Sequence, residues 1–186
     1  MTIEFENILK ATEDMLELVR NWRNSKHVSQ YMYTNHYITK EEHQQWIKKL
    51  RTKNTAKAWI IIYDERPAGL VSLSNIDYKN KNAEWGFYIA EESARGKGIG
   101  SATLYKLMEY VFDEMKFKKM STMVLENNPG ALELYEKFGF KKEGTLKERL
   151  VRDGERINIF LMGISADEWR DIKGRYTIKE PIGKYE

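Results

Sequence analysis

Glycines at 96, 98 and 100 lie in the run Arg95-Gly96-Lys97-Gly98-Ile99-Gly100-Ser101, between a strand-like stretch (83–90) and a helical pattern that opens near Gly98. A glycine-rich turn leading into a helix aims several backbone N–H groups at one point. The positive end of the helix dipole adds to them, which makes an anion site suited to a phosphate or pyrophosphate. Glycine permits positive φ and close approach of a ligand to the backbone, and Arg95 and Lys97 supply cationic charge. Downstream, Asn128-Pro129-Gly130-Ala131-Leu132-Glu133-Leu134-Tyr135-Glu136-Lys137-Phe138-Gly139-Phe140 carries a capping asparagine, a first-turn proline and a terminating glycine. Glu84 places a carboxylate at the start of the strand, and Tyr135 a phenol on the second helix.

Two common phosphate signatures do not fit. The turn has no Gly-Lys-Ser/Thr ending, so it is not a P-loop, and no glycine at 103 to complete a dinucleotide-binding turn. The R-x-x-G-x-G that remains resembles the acetyl-CoA-binding signature of the GCN5-related N-acetyltransferases (GNAT superfamily). The block N-x-x-A-x-x-L-Y-E-K-x-G-F is similar to the other half of that signature, in the same order and at a similar separation.

The resemblance implies direct acetyl transfer from acetyl-CoA to an amine in a ternary complex. The pyrophosphate would sit at the N–H groups of Lys97, Gly98, Ile99, Gly100 and Ser101. The strand Trp85-Gly86-Phe87-Tyr88-Ile89 would splay from its neighbour and bond the pantetheine arm like an added strand, with one N–H polarising the thioester carbonyl; Phe87, Tyr88 and Ile89 are assigned to that role, and Gly86 reads as a bulge. Asn128 would bond the pantetheine, cap its helix, or both. Tyr135 would protonate the departing thiolate, the alternative being a tyrosine packed between helix and sheet. Glu84, in an Ala-Glu-Trp-Gly pattern similar to that of several GNAT branches, would take the amine proton directly or through water. An exposed strand-edge charge is the plainer role for Glu84; Glu126 and His43 are rival bases, and loss of the proton to water stays open.

These groups need a scaffold, and hydrophobic periodicity supplies one. Ile3, Phe5 and Ile8 suggest a first strand. Thr12 caps a helix with Met15, Leu18, Val19 and Trp22 on related faces, and Thr39-Lys40-Glu41-Glu42 is a capping box opening a second helix. Strands are predicted over 58–63, 68–76 and 83–90, a helix from Gly98 to about Glu114, a strand over 120–125, a helix from Pro129 to Gly139, and a hairpin of strands near 141–149 and 155–164 turning at Arg152-Asp153-Gly154-Glu155. The order β-α-α-β-β-β-α-β-α-β-β is that of a single α/β domain, a mixed and mostly antiparallel sheet flanked by helices, as the resemblance also implies. The domain is expected to span 1–165, with 166–186 a tail that starts as a short helix and continues as polar, weakly ordered chain from Gly174.

The chain has 186 residues, 31 Lys+Arg against 28 Asp+Glu, three histidines and no cysteine. Interspersed charges give no clustered basic face for nucleic acid. Without cysteine there is no thiol nucleophile or disulfide, and the histidines form no ligand-spaced cluster, so no metal is expected. Neither a membrane-length apolar run nor a signal peptide is evident, and a cytoplasmic protein is expected. Oligomeric state is left open, a homodimer included.

The N-terminal third bears on the acceptor. Trp22-Arg23-Asn24, Tyr31-Met32-Tyr33 and Ile38-Thr39-x-x-Glu42-His43-x-x-Trp46 resemble, in order and spacing, the aminosugar N-acetyltransferases of pseudaminic acid synthesis, and the likeness runs through to the late hairpin. Those enzymes acetylate the 4-amino group of a UDP-linked 4-amino-4,6-dideoxy sugar. Arg23 could clamp a diphosphate with its planar fork; Trp22, Tyr31 or Tyr33 could stack on uracil or a sugar face; Met32 could line a deoxysugar methyl; His43 completes the candidate acceptor set. Packing of Trp22 and Met32 in the core, with Arg23 as a helix-end charge, is the alternative. No Asp or Glu lies between Trp22 and Tyr37, which disfavours a polyamine. N-terminal acetyltransferases of ribosomal proteins, polyamine acetyltransferases and non-catalytic acyl-CoA binders are the competing classes.

Overall fold

The computed structural model describes residues 2–176 and 182–185. Chain order is β1 (Ile3–Asn7), α1 (Glu13–Asn24), α2 (Lys26–Ser29), α3 (Lys40–Thr52), β2 (Lys57–Tyr63), β3 (Arg66–Asp77), β4 (Asn82–Ile89), α4 (Ile99–Met108), β5 (Lys119–Leu125), α5 (Pro129–Lys137), β6 (Lys141–Arg152), β7 (Glu155–Ser165), α6 (Ala166–Lys173) and β8 (Ile182–Tyr185). Among the described residues these strands form one sheet in the order β6-β7-β5-β4-β3-β2-β1-β8. Only β4–β5 and β1–β8 pair parallel.

Local chemistry accounts for most element ends. Thr12 and Thr39 cap α1 and α3 through their hydroxyls, and Glu42 closes the capping box back on Thr39. Asp64 and Glu65 both have positive φ, as do Asp153 and Gly154, so both tight hairpins use the turn whose twist matches the strands. The long helix predicted from Gly98 to Glu114 is α-helical only to Met108; Glu109–Glu114 widens to π-type winding.

The sheet separates two apolar layers. On one face Trp85, Phe87, Val71 and Leu73 pack with Leu104, Leu107 and Tyr135 from α4 and α5. On the other, Ile60, Leu70 and Tyr88 pack with Val19, Trp22, Val28, Ile47 and Leu50 from α1–α3. Strand alternation fixes this division, since odd and even residues of β4 face opposite layers.

Two elements depart from the sequence-based expectation. The four-residue α2 is too short to carry a readable period. Within the segment expected to be weakly ordered, Ile182–Tyr185 is a strand, paired with β1; residues 177–181 lie outside those described. Tyr185 is buried, stacks on Phe5 at 4.2 Å and donates to Thr103 O at 3.2 Å. Four residues give no period to read, and the aromatic cage that accepts Tyr185 (Phe5, Trp59, Tyr110) comes from distant elements. Ser165, where a separate tail is expected to begin, caps α6, whose Trp169 is fully buried in the domain's own core.

Candidate active site

The site begins where β4 and β5 part. They pair only at Asn82↔Lys119, Ala83↔Met120 and Glu84↔Ser121. Beyond Glu84, β4 continues on β3 as far as Ile89, and β5 on β7 as far as Leu125. Thr122 bridges the start of the gap, its Oγ1 donating to Trp85 O at 2.9 Å. Because Trp85 O faces β5, alternation turns the N–H and C=O of Phe87 toward the open gap, with no strand to meet them.

At the far end of β4 lies the glycine turn. Gly96 and Gly98 have φ of +72° and +80°, and a Cβ at either would meet no atom within 4 Å. Both left-handed geometry and open space are therefore present, as a bound pyrophosphate requires. Gly98 caps α4; the first backbone donor within the helix is Ala102 N, to Gly98 O at 3.0 Å. The N–H groups of Ile99, Gly100 and Ser101 consequently lack helical acceptors. Ile99 is buried and anchors the turn. Gly100 differs from the expectation: its φ is not positive, and a Cβ would lie 3.4 Å from the Phe87 ring, so it serves helix–strand packing. Arg95 spends its guanidinium on Ile89 O and Ala90 O, both at 3.3 Å, tying the turn to β4. Lys97 Nζ stands over the Tyr63 ring at 5.4 Å. The anion site is thus mainly backbone.

A cavity of about 520 Å³ runs along this face, from the glycine turn past Phe87, Ile89 and Leu134 to Tyr135. A second, of about 780 Å³, opens on the α1–α3 face over Glu84, Gly86 and Tyr88. Phe87, Tyr88, Asn128, Ala131 and Tyr135 line both, as do Tyr31 and Met32 at the rim, so a donor in one and an acceptor in the other would meet there.

Tyr135 is 6% exposed, edge-on to Trp85 at 4.8 Å between centroids. Its hydroxyl has no partner among the described residues, and burial pushes its pKa well above the ordinary phenol value. It therefore remains a proton donor at neutral pH. Asn128 Oδ1 accepts from Ala131 N at 3.2 Å, leaving Nδ2 for a ligand. Glu84 is half-buried on the acceptor-cavity floor, and its carboxylate has no hydrogen bond or ion pair among the described residues. Glu126 is otherwise occupied: its carboxylate accepts from Asn158 N at 2.6 Å and Nδ2 at 2.8 Å. That removes it as a rival base. His43 lines the acceptor cavity with Nε2 buried and unpartnered; burial and the nearby Arg20 charge lower its pKa, favouring neutral imidazole.

The acceptor wall contains most of the corrections. Trp22 does not reach the cavity: it is buried, and its Nε1 donates to Glu91 Oε1 at 2.8 Å. An indole at a helix end packs inward when a carboxylate can satisfy its N–H, and Glu91 lies on a distant turn. Tyr88 lines both cavities, and any contact it makes comes from its side chain and not from the backbone expected to bond the pantetheine. Its N–H and C=O face β3, opposite Leu70, and its buried hydroxyl is unpartnered on the cavity wall. Arg23 lines the cavity; Nη2 donates to Thr34 O and Oγ1, while Nη1 is buried without a partner. Tyr31 and Tyr33 are exposed at the rim and Met32 is half-buried.

Sequence reasoning missed how the segment 31–38 is held. It has no helix or strand of its own. Arg20 donates to Tyr37 Oη at 2.9 Å and Ile38 O at 3.1 Å, and Asn24 bonds both Ile38 N (2.7 Å) and O (3.0 Å). Arg20, Arg23 and Asn24 share a helix face by their i, i+3, i+4 spacing, a signal that was available. From the opposite side Arg152, at the end of β6, donates to Met32 O at 2.8 Å and Tyr33 O at 2.7 Å.

A family model described as "Acetyltransferase (GNAT) domain" matches residues 8–141. An acetyltransferase named PseH from Campylobacter jejuni is 30% identical over 138 residues, 74% of this chain and 84% of that protein. A spermidine N(1)-acetyltransferase from Vibrio cholerae is 28% identical over 155 residues, 83% of this chain and 89% of that protein. A solved structure of spermidine N-acetyltransferase from Vibrio cholerae, in complex with CoA and spermine, superposes with a TM-score of 0.82 at 23% identity, covering 91% of this chain and 98% of that one. The chain belongs to the GNAT acetyltransferase family. It is an acetyl-CoA-dependent N-acetyltransferase, and its single α/β domain is the fold of that family. Among the described residues no helix is long and apolar enough to cross a membrane, and no group of three or more His, Cys, Asp or Glu could hold a metal.

Proposed function

We propose that the chain transfers the acetyl group of acetyl-CoA directly to the 4-amino group of a UDP-linked 4-amino-4,6-dideoxy sugar, in a ternary complex. The observation that carries this is the Arg23 guanidinium, with Nη1 buried and unpartnered on the wall of the acceptor cavity. A buried cation lacking an anion is costly, and an acceptor bearing a diphosphate would relieve that cost. The W-R-N, Y-M-Y and I-T-x-x-E-H-x-x-W elements and the likeness to the PseH acetyltransferase support the same class.

In this account Glu84 takes a proton from the acceptor ammonium, directly or through water. The amine nitrogen then bonds to the thioester carbon while the unpaired Phe87 N–H stabilises the carbonyl oxygen. As the C–S bond breaks, Tyr135 gives its phenolic proton to the sulfur, and the surplus proton on the new amide nitrogen returns to Tyr135 through water. The pyrophosphate rests on the N–H groups opening α4, and Asn128 Nδ2 bonds the pantetheine.

A polyamine acceptor is the second reading, favoured by the spermidine acetyltransferase relative and by two carboxylates on the same cavity, Glu42 and Glu84. Glu42 is already engaged by His36 and by Thr39 N, which leaves Glu84 as the free anion for a polycation. Arg23→Met separates the two: with the sugar nucleotide the acceptor KM rises roughly tenfold or more, the value of a lost charged hydrogen bond, while the acetyl-CoA KM stays. An unchanged acceptor KM sinks the diphosphate clamp.

A further inference from the structure

β4 has a glycine at its centre that neither its backbone nor its neighbours require. Gly86 pairs with Ser72 in an uninterrupted ladder from Gly69↔Ile89 to Ser74↔Glu84, so the bulge expected there is absent. Its φ lies outside the left-handed region, and a Cβ built on it meets no atom within 4 Å. Glycine inside a strand sacrifices packing and chain entropy, and its usual reason is close approach of a ligand or another backbone. Here no protein atom approaches. Instead the acceptor cavity lies over Gly86, with the Glu84 carboxylate on one side along the strand, the Tyr88 side chain on the other, and Ser72 beside it on β3.

We propose that Gly86 is the specificity-determining seat of the acceptor: the bare backbone between Glu84 and Tyr88 admits the body of the acceptor against the sheet. For the sugar nucleotide, on which this inference rests, that body is the pyranose ring, laid over Gly86 with Glu84 in reach of its amine. Cofactor binding does not share this requirement. The side-chain direction of Gly86 is that of the α1–α3 face, and Gly86 does not line the cavity that holds the glycine turn.

The test is a graded series, Gly86→Ala and Gly86→Val, in the full chain. A Cβ at Gly86 meets open space and the strand backbone suits both residues, so melting temperature is expected to hold, and acetyl-CoA affinity by calorimetry to stay at the parent value. Acceptor kcat/KM should fall in the order Gly, Ala, Val, by roughly tenfold or more at Val, the scale of one surplus methylene-sized clash in a fitted site. A valine variant that keeps acceptor kcat/KM, or that loses acetyl-CoA affinity in parallel, overturns the proposal. If the parent enzyme prefers spermidine, the sugar-nucleotide reading fails separately. The series is then read on spermidine, where loss supports Gly86 as the seat and retention removes it.

Discussion

The two halves of the cleft are built from different materials. In the proposed mechanism the cofactor side relies mainly on backbone, the N–H groups opening α4 and the N–H and C=O of Phe87 left unpaired where β4 leaves β5, with Asn128 and Tyr135 the side chains added to it. Their positions are set by regular elements and by glycines with positive φ. On the acceptor side the groups are side chains, and the wall bearing Tyr31, Met32 and Tyr33 is an irregular segment. It is fastened by Arg20, Arg23 and Asn24 from α1 and by Arg152 from the β6–β7 hairpin. A backbone site tolerates drift in sequence outside its glycines, because every residue except proline supplies the same N–H. A side-chain wall can be refitted one residue at a time. That contrast accounts for how one fold can keep a common donor while its acceptor wall is refitted.

Substitutions should therefore sort by cavity. The largest effect is expected from Gly98→Val. A β-branched residue at a φ of +80° costs about 1–2 kcal/mol or more, and its branch occupies the space above the helix start. Together these should weaken acetyl-CoA binding by roughly 10²-fold by calorimetry. Retained affinity would place the anion elsewhere and end the contrast. Tyr135→Phe comes next: kcat should drop roughly 10²-fold, the usual value of a lost general acid, with acetyl-CoA affinity near normal. An unchanged rate would leave Tyr135 as packing against Trp85.

Arg152→Met tests the acceptor side alone. Cutting its bonds to Met32 O and Tyr33 O should speed amide exchange in 31–38 and raise the acceptor KM several-fold, leaving acetyl-CoA affinity intact; a change in the latter would couple the two halves. The smallest effect is a pH dependence at His43. Its pKa is lowered in the folded chain, so the unfolded state binds the proton more readily and stability rises with pH. The contribution is fully present above the ordinary imidazole value of about 6.5 and is lost as pH falls below it, toward the lowered folded value. His43→Gln should flatten that step in melting temperature without altering acetyl-CoA binding.

The same contrast decided what could be read from sequence. Backbone chemistry leaves a mark in residue types: Gly96 and Gly98 where φ is positive, Asn128 and Pro129 where a helix must start. Side-chain walls leave little. Arg152 lies 120 residues from Met32, whose carbonyl it holds, and no spacing announces such a bond. Trp22 packs inward against Glu91, a partner 69 residues away that no spacing announces. The backbone direction of Tyr88 is hidden for a different reason: strand parity follows from the splay, and the residue where β4 and β5 part is a tertiary fact. The i, i+3, i+4 set Arg20, Arg23 and Asn24, by contrast, is legible in the sequence.

The most direct test follows CoA release by the purified chain, with acetyl-CoA fixed and three acceptors side by side. These are UDP-4-amino-4,6-dideoxy-N-acetylaltrosamine, spermidine, and a ribosomal-protein N-terminal peptide. An acceptor cavity walled by an unpartnered Arg23 and floored by Gly86 predicts the highest kcat/KM for the sugar nucleotide, with the acetyl group on its 4-amino nitrogen. A clear preference for spermidine or the peptide would contradict it.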